Sequence, residues 1–347
     1  SGTCDLYDKC NYNYLGHHLF WFFYHIFILK IFSFFDIFVN LFGFNTEIFH
    51  ELILSLTSTS LIILSILILI KTFNKNNWIY IYSIFVGSYG IGFINGGFTE
   101  CLIILLISIK LFLKERNTKG KILYLSLIDL YIVFLKPYLL VFIILFNFTY
   151  DLNKKDILKY FFYSFLFLII FSLIKFSIKI DYLSYYNEGL DLNISKIIKR
   201  TFYFLFSPSV GIILTCPFIV LGLLSIKNNK IIKLAIISFY SIFFSFYGDL
   251  AFWGGAGIGG SRYIFPIFLI FIEDYVNFLN RLNYRFKQFL IFLFFISFVP
   301  SIDYKNTNIA LVPEQTGQII IDSVSNYPLE DFNLNPIYIS WKIFIYK

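Results

Sequence analysis

From Glu51 onward the chain is a succession of apolar runs separated by short charged breaks, at 52–70, 78–95, 99–113, 122–135, 138–149, 160–179, 209–226, 234–250, 263–277 and 288–302. A helix needs roughly 20 apolar residues to cross a hydrocarbon core about 30 Å thick, and several runs approach that length. Charge is sparse as well: 14% of the 347 residues are charged and 58% are hydrophobic, whereas a soluble domain is about a quarter charged. These observations predict an all-α fold, a polytopic transmembrane helical protein of about 10–11 spans. Disorder, a disulfide-dense secreted module and a soluble nucleotide domain are excluded on the same ground. Three regions follow: an external loop with an interfacial amphipathic helix at 1–51, a transmembrane domain at 52–302, and a short external tail at 303–347. The helix in the first region is the stretch from Leu19 to Leu41, where Lys30, Asp36 and Asn40 interrupt the apolar residues.

The formal net charge of +7 would point a soluble chain toward nucleic acid. Its distribution says otherwise. If the loops alternate between two sides, one side collects Lys71, Lys75, Lys114, Arg116, Lys119, Lys121, Lys154, Lys155, Lys159, Lys227, Lys230, Lys233, Arg281, Arg285 and Lys287. The other collects Asp5, Asp8, Glu47, Glu51, Glu100, Asp181, Glu188, Asp191 and Asp249. Excess Lys and Arg marks the cytoplasmic side of a membrane protein. The expectation is therefore an integral membrane protein with its functional face external or lumenal, a lipid bilayer around it and no nucleic acid partner. That orientation starts residue 1 outside, and the absence of Met suggests a first helix trimmed from the N-terminus.

Phe (47) and Tyr (26) are abundant in the manner of an AT-rich genome, so aromatic content carries no chemistry by itself. Cys4 and Cys10 lie in a polar stretch and Cys101 and Cys216 in apolar runs, with no CxxC pair.

Four segments hold candidate chemistry. In SGTCDLYDKCNYNYLGHHLFW, Asp5 and Asp8 lie close to His17 and His18. A carboxylate there is either a general base toward a hydroxyl or a solvated loop residue. The histidines, with Asp5 or Asp8, could hold a divalent metal, but adjacent histidines diverge and no HxxxH spacing occurs; polar interfacial residues are the simpler reading, and no cofactor is certain. In GDLAFWGGAGIGGSRYIFP, Gly254, Gly255, Gly257, Gly259 and Gly260 allow a tight loop beside Trp253, with Arg262 and Tyr263 at the start of the next run. Arg262 is either a snorkelling cation or an anion contact, and the glycines with Trp253 favour a phosphate-facing loop. In FINGGFTECLIILL, Glu100 opens an apolar run after Thr99, stabilised by the helix dipole or touching a polar substrate. In FLKPYLLVF, Pro137 breaks a run and Lys136 is a snorkelling cation or a second phosphate contact.

The order of these segments resembles the GT-C superfamily of integral-membrane glycosyltransferases, in particular the bacterial relatives of the protein O-mannosyltransferases. FLFSPSVGIILTCPFIVLGLLSI, Phe204 to Ile226, is similar to that group's Phe-Ser-Pro helix start, and WGGAGIGGSRYIFP to its Trp-Gly-Gly loop ending in Gly-x-Arg-Tyr-x-x-Pro. NGGFTECLIILLISIKLFL and FLKPYLLVF are similar to its helix with a Thr/Ser-Glu start and its Lys-Pro break. The resemblance implies inverting transfer of a sugar from a polyprenyl-phosphate donor to an acceptor hydroxyl on a glycan, lipid or protein, on the extracytoplasmic face of a bacterial inner membrane. It implies Asp5 or Asp8 as the catalytic base by position. Arg262, Lys136 and Arg200 then meet the leaving phosphate, and Glu100, His17, His18, Tyr263 and Trp253 contribute to substrate binding. Two other readings compete: a carrier or flippase for a lipid-linked saccharide, and a non-catalytic structural subunit of a membrane assembly.

Overall fold

The computed structural model describes residues 27–43, 45–73, 78–86, 99–116, 120–149, 153–178, 192–206, 212–226, 229–246 and 264–303. Among them the chain is mostly helical and no strand occurs. In chain order the helices are α1 (Asp36–Leu41), α2 (Thr46–Thr72), α3 (Trp78–Val86), α4 (Thr99–Glu115), α5 (Lys121–Leu135), α6 (Leu140–Asn147), α7 (Lys154–Ile178), α8 (Ile194–Phe206), α9 (Ile212–Thr215), α10 (Pro217–Leu223), α11 (Lys230–Ser245), α12 (Phe265–Phe268), α13 (Ile272–Arg281) and α14 (Tyr284–Asp303). Turns of 3-10 helix occur at Ser33–Phe35, Pro137–Leu139 and Leu269–Phe271.

Local chemistry explains many of the boundaries. Asn153, Asn193 and Asn283 precede α7, α8 and α14, and each side-chain oxygen accepts the amide three residues on, from Asp156 at 2.9 Å, Lys196 at 3.2 Å and Phe286 at 2.9 Å. These side chains satisfy donors that a helix start leaves unpaired. Gly120 opens α5 at φ 78, a left-handed conformation that glycine adopts without a Cβ clash. Pro137 ends α5: the residue before a proline is driven out of the helical region, and Lys136 is extended at φ −146, ψ 92. Pro217 acts in the same way on Cys216, at φ −136, ψ 62, and separates α9 from α10.

The chain divides into two compact units. Unit 1 comprises Ser1–Ile63 and Asn95–Glu188, so the boundary falls within α2. Here α4 and α5 run antiparallel, since Glu100 meets Lys136 while Lys110 meets Asp129. Helix α7 packs along α5, where the Ser126 hydroxyl donates to the Tyr160 carbonyl at 3.3 Å. The core includes Ile103, Ile104, Ile107, Ile132, Leu139 and Phe142, all fully or almost fully buried.

Unit 2 comprises Leu64–Ile94 and Gly189–Lys347. Helix α10 lies close against α13 at Gly222, where an added Cβ would come within 3.3 Å of the Phe271 carbonyl oxygen. Phe85, Phe218, Phe265, Tyr275 and Phe294 form an edge-to-face aromatic core with centroid separations of 5.8 to 6.2 Å, the arrangement favoured by the ring quadrupole. Helices α8 and α11 pack through Phe204 stacked on Phe244 and a 3.0 Å hydrogen bond from Thr201 to Ser245.

The expected membrane architecture is not what forms. No helix among the described residues is long and apolar enough to cross a membrane, which overturns the polytopic transmembrane fold and, with it, placement as an integral protein of an inner membrane. Several expected spans are assemblies of short pieces. The run 138–149 holds a 3-10 turn and the eight-residue α6, about 12 Å of helix. The run 209–226 holds α9 and α10, of four and seven residues, and 263–277 begins with the four-residue α12 and a 3-10 turn. The longer α7 starts on Lys154, Lys155 and Asp156, α14 carries Arg285 and Lys287, and the middle of α2 carries Thr57, Ser58, Thr59 and Ser60. What persists is exposed apolar surface, with Leu52, Leu56, Ile63 and Leu67 on α2 and Phe161, Phe162, Phe165 and Leu173 on α7. The expected C-terminal tail, beyond Asp303, and the first external loop lie outside the described residues; of the amphipathic stretch, 27–41 is described and is helical.

Candidate functional site

Two residues expected at the site are brought together in unit 1. Glu100 stands in the first turn of α4, fully buried, where its carboxylate faces the positive end of the helix dipole. Lys136 occupies the extended position between α5 and the Pro137 turn and is also buried. Their charged atoms lie 3.4 Å apart, longer than the 2.7–2.9 Å of a tight charge-assisted hydrogen bond. The Thr99 hydroxyl donates to the other carboxylate oxygen at 3.4 Å. The proline break is what makes the pair: a continuous α5 would carry Lys136 on a helical register rather than in an extended residue.

About 15 Å further along α4, at the rise of an α-helix, a second buried pair forms between Lys110 and Asp129. Sequence reasoning placed neither at a site. Asp129 accepts Lys110 on one oxygen; on the other it accepts Asn147 at 2.9 Å and the Tyr160 phenol at 2.8 Å. Asn147 also donates to the Tyr160 oxygen at 2.8 Å, and the Lys110 ammonium lies 4.8 Å from the Phe146 ring centre. Four helices, α4 to α7, thus contribute to one closed network. Burial pushes the Lys110 ammonium down from its ordinary value, opposed by the charge and hydrogen bond of Asp129. Burial pushes the Tyr160 phenol up, aided by the neighbouring Asp129 charge. The available signal was charge within an apolar run, because a buried charge must be paired.

Unit 2 holds a third pair, Lys233 with Asp274. The Ser225 hydroxyl donates to the Asp274 main-chain carbonyl. Next to it, Tyr275 shares a 2.9 Å hydrogen bond with Ser83. Burial is the main influence on Tyr275 and raises its phenol above the ordinary 10.0, with the Ser83 hydrogen bond opposing. The unfolded phenol loses its proton near pH 10 while the folded one keeps it, so the unfolded state binds fewer protons there. This contribution to stability is complete below about pH 10 and is lost as pH rises further. Urea midpoints of unit 2 at about pH 9 and pH 11 should therefore diverge more in the wild type than in Tyr275→Phe, and equal divergence would count against the assignment.

The other expected site residues are not brought together within the described part. Asp5, Asp8, His17, His18, Trp253, Arg262 and Tyr263 lie outside the described residues. Arg200 lies half-buried on α8 in unit 2. Cys101 and Cys216 are buried. Among the described residues no group of three or more His, Cys, Asp or Glu is placed to hold a metal ion. His50 instead meets Asp36 at 2.9 Å. No family model, curated protein or solved structure matches the chain.

Proposed function

We propose that the chain transfers a sugar from a polyprenyl-phosphate donor to an acceptor hydroxyl. The observation that supports this reading is the buried Glu100–Lys136 pair at 3.4 Å, a carboxylate and a cation from two segments that the motifs single out. In the reaction the bond between the sugar C1 and the phosphate oxygen breaks, and the acceptor oxygen forms a bond to C1 with inversion. The acceptor proton passes to the carboxylate of Asp5 or Asp8, and the polyprenyl phosphate leaves with the electron pair. Lys136 offers its ammonium to that phosphate in a dry environment, where charge stabilisation is large. Glu100, partly released as the phosphate competes for Lys136, accepts a hydrogen bond from a polar group of the substrate.

A second reading, a non-catalytic helical subunit, is favoured by a different observation. Among the described residues the buried charges, Glu100, Lys110, Asp129, Lys136, Lys233 and Asp274, all fall into three ion pairs. A set matched in this way serves packing specificity without substrate.

Transfer assays with a polyprenyl-phosphate sugar separate the two. For the enzyme, Asp5→Asn with Asp8→Asn lowers the transfer rate by about 10²- to 10⁴-fold, the worth of a positioned base, and Lys136→Gln lowers it by about 10²-fold or more with helix content retained. Transfer unchanged in both variants, or absent in the wild type, overturns the catalytic reading and leaves the structural one.

A further inference from the structure

Helix α8 has two kinds of surface. One side packs on α11 through buried Phe204 and through Thr201, which donates to Ser245. On the other, Ile194, Ile198, Phe202 and Phe206 recur every four residues and are 73%, 66%, 59% and 50% exposed. That spacing places them in one continuous stripe. Phe202 and Phe206 touch, with ring centres 5.0 Å apart. Lys199 is exposed beside the stripe, three residues from Phe202; Lys196, exposed, and Arg200, half-buried, lie on the flank away from it, and no acidic residue occurs from Leu192 to Phe206.

We propose that this face of α8 docks on an anionic lipid surface, with the helix lying along the interface and not crossing it. An amphipathic helix with aromatic and aliphatic side chains on one side and basic residues on its polar side is suited to the headgroup boundary. At about 20 Å, α8 is long enough to lie flat and too short to span. A second copy of the chain is disfavoured as the occupant, because an isologous contact would bring the Lys199 ammonium groups of both copies to one interface with no acidic residue of either helix to offset them. An acidic peptide is also a poorer fit, since helix recognition seats its anchors in a groove and the stripe is a convex ridge. A lipid surface requires no groove. The inference is independent of sugar transfer and survives its failure.

The test is binding of the full-length chain to vesicles of phosphatidylcholine alone and of phosphatidylcholine mixed with phosphatidylglycerol, at low and high salt. Because α2 and α7 also expose apolar residues, the decisive readout is the difference between the two vesicle types. Wild-type protein should prefer the anionic vesicles, with the preference weakening as salt rises. Lys196→Gln with Lys199→Gln should weaken anionic binding by about 30-fold, from the usual worth of two basic residues near such a surface. Phe202→Ser with Phe206→Ser should weaken it too, with the far-UV spectrum unchanged. Equal binding to both vesicle types, an anionic preference retained in both variants, or no vesicle binding together with binding to polyglutamate would overturn the proposal; the last result would assign the face to an acidic protein.

Discussion

Asp129→Ala is expected to destabilise unit 1 by about 3–5 kcal/mol, the loss seen when one partner of a buried ion pair is removed. The value should fall at the upper end of that range because three donors lose their acceptor together. Lys110 keeps a charge with no counter-charge on Asp129, and Asn147 and Tyr160 lose the oxygen that both address. A buried donor left without a partner costs about 1–3 kcal/mol by itself. Pairing Lys110→Met with Asp129→Leu removes the charge but not the other two donors, so recovery should be partial. Urea denaturation followed by circular dichroism measures both effects. A loss under about 1 kcal/mol for Asp129→Ala would show that the network does not hold the four helices together.

Asp274→Ala in unit 2 should also cost about 3–5 kcal/mol, but its double variant should behave differently. Lys233 meets the Asp274 side chain, while Ser225 donates to the main-chain carbonyl, which any residue at 274 retains. Lys233→Met with Asp274→Leu therefore removes the ion pair without leaving Ser225 unsatisfied. Its stability should return to within about 1 kcal/mol of the wild type or exceed it, as when buried pairs are replaced by packed apolar groups. The contrast between the two double variants is the sharper comparison. Equal recovery in both would mean that Asn147 and Tyr160 add little to the Asp129 pair.

Several boundaries of the fold were legible in the sequence, for reasons confined to one or two turns. Pro137 announces the end of α5 through the steric restriction that a proline places on the preceding residue. The run 209–226 carries the same signal at Pro217, where the helix breaks into α9 and α10. The asparagines before α7, α8 and α14 each cap a helix, a role that the residue type alone does not distinguish from an ordinary loop asparagine. The membrane expectation failed on the same scale. An apolar run does not by itself fix helix length, and in 138–149 and 209–226 short helices joined by turns carry it.

At the candidate site, the residue types at Glu100 and Lys136 and their adjacency to a helix start and a proline break were readable, while their meeting at 3.4 Å was not. Lys110 and Asp129 are 19 residues apart and Lys233 and Asp274 are 41 apart, separations over which local propensity carries no information. The sequence by itself determined that the chain would be helical, where several helices would start and stop, and that its few interior charges would need partners. Only the tertiary structure decided which charges pair and which apolar faces stay exposed. Capping and proline sterics act within a few residues, whereas the cost of a buried charge depends on the faces that pack around it.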